Sequence, residues 1–81
     1  MSKIEDCADL IIEIITYSSN DDTIRVESKL NSVIESMLIF LDNEDLIEIL
    51  DNRVRPRLLP NKLIIWSDYI NNKISDLKEC L

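Results

Sequence analysis

Ser32-Val33-Ile34-Glu35-Ser36-Met37-Leu38-Ile39-Phe40-Leu41-Asp42-Asn43-Glu44-Asp45 is the stretch whose reading decides the fold. Two readings compete. In the first, one helix runs from Ser36 to about Leu50. In the second, a helix runs from about Ser28 to Leu41. Asp42 or Asn43 then caps a break, and a short helix continues to Asp51. Leu30, Val33, Ile34, Met37, Leu38 and Leu41 recur at helical spacing, so periodicity leans towards the second. The choice has a chemical consequence. A helix opening at Ser36 sets its hydroxyl where backbone N–H groups point outward and the dipole favours negative charge, a good place for a phosphodiester. A helix running through Ser36 leaves an ordinary polar side chain.

On the N-terminal side, residues 3–17 read as a first helix. Ile4, Cys7, Leu10, Ile11, Ile14 and Ile15 form its apolar face, with Glu5, Asp6, Asp9 and Glu13 opposite. Ser18-Ser19-Asn20-Asp21-Asp22-Thr23 is a loop signal. Ile24 and Val26 alternate with Arg25 and Glu27, the pattern of a short extended segment pinning that loop to the core. On the C-terminal side, Arg53, Arg55, Pro56, Arg57 and Pro60 mark a loop over 52–62 with at most one helical turn. Residues 62–79 read as the last helix, with Leu63, Trp66, Ile70, Ile74 and Leu77 on one face.

The 81 residues suffice for one domain, 1–81, with a modest core. Glycine is absent, which argues against sheet-rich folds with tight turns and suits helices joined by polar loops. The fold class is therefore all-α. Net charge is −7, unevenly placed: residues 1–51 carry −10 and residues 52–81 carry +3. Such a surface disfavours nucleic acid and anionic membranes and favours partners with basic patches. The longest apolar runs are about five residues, far short of a membrane span. The acidic opening, Met1 to Asp6, lacks the basic start of a secretory leader, so the expectation is a cytoplasmic protein. Cys7 and Cys80 are its two cysteines, and histidine is absent, so no metal-ligand spacing exists. Reduced thiols are the expectation, with a Cys7–Cys80 disulfide as the alternative if the first and last helices pack together.

The layout resembles that of an acyl carrier protein over nearly the whole chain. Ile4-Glu5-Asp6 through Ile15 is similar to that family's first helix. Val26-Glu27-Ser28-Lys29-Leu30 is similar to the end of its long loop. Ile34-Glu35-Ser36-Met37 resembles its attachment motif, with Glu35 where the family usually has Asp. Leu58-Leu59-Pro60-Asn61 resembles the approach to its last helix, and Asp68-Tyr69-Ile70-Asn71 the middle of that helix.

The resemblance implies a small four-helix bundle with a long loop between helices 1 and 2. It implies no enzyme activity. Ser36 would carry 4′-phosphopantetheine, and Glu35 would help the phosphopantetheinyl transferase hold its metal. The arm would deliver an acyl thioester to acyl-transferring enzymes of fatty-acid or polyketide biosynthesis, raising its effective concentration at each active site. Met37, Leu41, Leu46 and Leu50 would line an acyl pocket, plain core being the competing use. Asp42, Glu44, Asp45 and Glu48 would dock on basic patches of these partners, a solvated face being the alternative. The protein would act as a monomer.

Size, acidity and the lack of a catalytic constellation equally suit a protein of another class. That is a small acidic helical binder (an immunity protein, antitoxin or inhibitor) that blocks a basic partner.

Overall fold

The computed structural model describes residues 2–81, and among them there is helix and no strand. Helix α1 is Lys3–Thr16, α2 is Thr23–Met37, α3 is Asn43–Glu48 and α4 is Pro60–Glu79. Chain α3 continues without a loop into a π-helical segment, Ile49–Val54, and a 3-10 turn, Arg55–Arg57. The all-α expectation and the four-helix count hold.

The long loop between the first two helices is not found. Only residues 17–22 separate α1 from α2, and Asn20–Asp22 is itself a 3-10 turn. The segment expected to be extended is helical instead. Val26 is buried while Ile24 stands 85 % exposed, so the core takes Val26, Leu30, Ile34 and Met37 at spacings of three and four. The two-residue alternation of Ile24 and Val26 was too short to compete with that stripe.

The deciding stretch follows the second reading, shifted towards the N-terminus. Helix α2 ends at Met37, and the chain tightens: Ile39 N–H donates to Ser36 O and Phe40 N–H to Met37 O at 3.2 and 3.1 Å. Asp42 then caps α3. Its Oδ1 accepts from Asp45 N–H at 2.9 Å, while Asp45 Oδ2 accepts from Asp42 N–H at 3.2 Å. This reciprocal box satisfies two backbone donors that a helix start otherwise leaves open.

No described residue has positive φ. A chain without glycine closes its helices differently from the common left-handed cap. Tyr17 and Cys80 end α1 and α4 with ψ near zero instead. Pro60 occupies the first turn of α4, where its missing N–H costs nothing.

Residues 52–57 are another difference from expectation, being helical through Arg57. Apolar packing and ion pairs hold them. Ile49, Leu50 and Val54 are buried, and α1 packs directly against the π-helical segment. Arg53 bridges Glu5 on α1 and Glu48 on α3, while Arg57 reaches Asp9 at 2.9 Å.

One hydrophobic cluster joins the four α-helices and the π-helical segment, with Trp66, Ile11, Ile15, Leu30, Leu46 and Ile70 fully buried in it. The radius of gyration, 11.8 Å, is that of a chain of this length folded around one core. No described helix is long and apolar enough to cross a membrane.

Candidate partner-binding surface

Ser36 lies one residue before the end of α2 and opens no helix. Its hydroxyl donates to the carbonyl oxygen of Ser32, one turn back, at 3.1 Å. This is the back-bond that serine makes inside helices. The backbone groups left open at this end are carbonyls, and the dipole there disfavours an anion. The phosphate-favouring environment associated with Ser36 is thus absent. Glu35 is exposed beside it, within the same last turn of α2.

The four expected docking acids have different fates. Asp42 and Asp45 cap α3, each occupied by the other's backbone. Glu48 accepts from Arg53 at 3.0 and 3.1 Å. Only Glu44 is exposed with no hydrogen bond or ion pair among the described residues. The helix that was to present charge outward mostly uses it to fold.

The expected acyl-pocket residues are core. Met37, Leu46 and Leu50 are 3 %, 0 % and 1 % exposed, and Leu41 is half-buried against the same cluster. Ile34, not Ser36, occupies the inward position next to Met37.

The arginines are engaged by the chain's own acids. Arg25 Nε donates to Asp22 at 2.6 Å, Arg53 holds Glu5 and Glu48, Arg55 faces Asp51 at 3.3 Å, and Arg57 holds Asp9. The bond to Asp22 raises the Arg25 pKa above its ordinary value. Lys62, on α4, is buried. Its Nζ donates to Ser18 O at 2.6 Å and Asn20 Oδ1 at 2.8 Å, locking the α1–α2 connection to the start of α4. Tyr69 donates to Asn31 on α2 at 2.6 Å, and burial, with a smaller effect from Glu27, pushes its phenol pKa up.

Acids with no ion-pair partner among the described residues gather elsewhere. On α1 they are Asp6 and Glu13, exposed either side of Leu10. Alongside them runs a shallow apolar trough between α1 and α2. One part, of about 410 Å³, is walled by Asp6, Cys7, Leu10, Ser36, Met37 and Phe40. The next, of about 400 Å³, shares Leu10 and Val33 and extends to Tyr17, Glu13 and Lys29. Leu10 is 44 % and Phe40 52 % exposed. Burial, then Asp6, pushes the Cys7 thiol up and keeps it protonated at neutral pH.

The sequence pattern placed Leu10 on the inward face of α1 and so hid this surface. Phe40 lies within the unbroken apolar run Met37–Leu41, where polarity gives no clue to which side chain faces out. The one signal available was width: α1 carries more apolar residues than one core-facing stripe uses. No protein-family model, curated protein or solved structure matches the chain.

Proposed function

We propose that this chain acts by binding: it is a small acidic helical protein that docks on a basic partner and blocks it. The observation that carries this reading is where its charges go. All four arginines are tied to the chain's own carboxylates. Asp6, Glu13, Glu27, Glu35 and Glu44 meanwhile face solvent without a partner among the described residues. A net charge of −7 distributed this way speeds encounter with a basic surface and repels nucleic acid.

Reconstitution with a partner, isolated from the source cell and purified, tests the reading. The expected partner presents a basic face, loses its activity in the complex, and binds more slowly as salt is added. A partner without such a face, or one left fully active, overturns it.

The acyl-carrier reading draws on one observation, that the exposed Ser36 borders the apolar trough. Coexpression with a broad-specificity phosphopantetheinyl transferase decides between the two. A binding protein keeps its unmodified mass. A gain of roughly 340 Da, lost in Ser36→Ala, establishes the carrier instead.

A further inference from the structure

We infer that the trough between α1 and α2 is the docking site, and that its occupant is an amphipathic helix of the partner with basic residues along its α1-facing edge. This rests on the binding reading and names the surface that performs it.

The floor is apolar at the Phe40 end and mixed towards Tyr17, and the two parts meet at Leu10 and Val33. Cys7, Val33 and Met37 form its base, and Leu10 and Phe40 stand half in water along it. From Asp6 to Tyr17 the α1 wall rises for about three turns, roughly 16 Å, the length of a short helix laid alongside. A helix enters such a groove through residues at three- and four-residue spacing. The other exposed aliphatic side chains, Ile24, Ile39, Leu59, Ile64 and Leu81, are scattered over the surface and line neither part of the trough.

The walls differ in charge, and this identifies the occupant. The α1 wall offers Asp6 and Glu13, without ion pairs among the described residues and seven residues apart on one face. Two turns of helix put them about 10 Å from each other. The α2 wall offers Lys29, Arg25, Ser32 and Ser36 and no carboxylate. A helix carrying Lys or Arg two turns apart on its α1-facing edge, beside an apolar stripe, matches both carboxylates and the floor. On its other edge it meets hydroxyls, Lys29 and Arg25, the last already paired with Asp22, so acids or neutral polar groups belong there. A second copy of this chain would set −7 against −7 and is disfavoured.

The test uses the full chain, 15N-labelled, titrated with a synthetic amphipathic Leu/Lys helix bearing Lys at i and i+7, and with a matched peptide having Glu in place of Lys. The expected result is amide shifts confined to α1, α2 and Phe40 with the Lys peptide, and none with the Glu peptide. Leu10→Ser and Phe40→Ser each weaken binding by about tenfold, as truncation of one of the few energetically important interface residues does. Joint Asp6→Lys and Glu13→Lys weakens it as much, and Ile64→Ser leaves it unchanged. Circular dichroism and Tm checks on each variant separate lost binding from lost fold.

Shifts centred on α3 or α4, or unchanged affinity in folded Leu10→Ser and Phe40→Ser, overturn the assignment. So does a probe-free dimer in sedimentation that Leu10→Ser dissolves, which would make a second copy the occupant. A natural basic partner that still binds the trough variants leaves the binding reading intact while removing this site. Pantetheinylation of Ser36 removes the reading itself.

Discussion

Lys62 Nζ donates to the carbonyl oxygen of Ser18 at 2.6 Å, from a position on α4 that is 7 % exposed. Asn20 Oδ1 accepts from the same ammonium at 2.8 Å. The cation reaches across 44 residues of sequence to close the turn that joins α1 and α2. No carboxylate takes part, so the charge is solvated by amide and carbonyl dipoles. Lys62→Ala removes charge-assisted hydrogen bonds and a packed stem together. The expected loss is about 2 kcal/mol, lowering Tm by roughly 10 °C. Lys62→Met keeps the stem and should lie between the two in thermal melts.

The capping box at α3 predicts an effect on stability and none on recognition. Asp42→Ala should cost about 1 kcal/mol in chemical denaturation, and Asp42→Asn much less. Affinity for the basic peptide should not follow either change, because both acids are turned to the backbone of α3.

Arg53 joins Glu5 and Glu48, on two different helices, from a side chain that is 35 % exposed. Water screens such pairs, so Arg53→Ala should cost about 1 kcal/mol or less. A double-mutant cycle with Glu5→Ala should show coupling of a few tenths of a kcal/mol, reduced by added salt. Additivity within error would mean that the bridge contributes nothing measurable.

Tyr69 and Cys7 both have pKa values raised by burial, and both are neutral when protonated. Their folded pKa values lie above those of the unfolded chain. The stability they contribute is therefore complete below the unfolded values, about 8.5 for thiol and about 10 for phenol, and declines as pH rises past them. Denaturation midpoints should hold from pH 7 to 8 and fall from about pH 9 upwards. Tyr69→Phe should lose about 1 kcal/mol at neutral pH through its bond to Asn31, and should show a shallower alkaline decline.

Much of the fold was legible in spacing. The first and last helices were read to within two residues, because Ile11, Ile15, Trp66, Ile70 and Ile74 recur at core-facing intervals. The break after Leu41 was legible, with Asp42 or Asn43 as its cap, because both residue types accept from a helix start; the reciprocal bond with Asp45 selects Asp42. The α2 start was not. Residues 18–23 have loop composition, and Asp22 caps no N–H; its carboxylate holds Arg25 instead. The helicity of 52–57 was hidden because it depends on Arg53 and Arg57 meeting acids some 48 residues away. Of the candidate site, the abundance of acid was legible. Which acids stay free was not, since that depends on three-dimensional pairing.

The π-helical turn has a consequence for how this chain tolerates change in length. Ile49 and Val54 both face inward, 0 % exposed, though five residues apart. In a regular helix of about 3.6 residues per turn such a pair diverges by roughly 140°; a wider turn brings them back into line. The stretch therefore carries one unit more than the usual winding needs, and the surplus falls at Asp51 and Asn52, both in water. Excision of Asn52 would leave the flanking aliphatics four apart, the spacing at which an ordinary coil points them the same way. Here the backbone contains a seam at which it can be shortened without turning its interior outside.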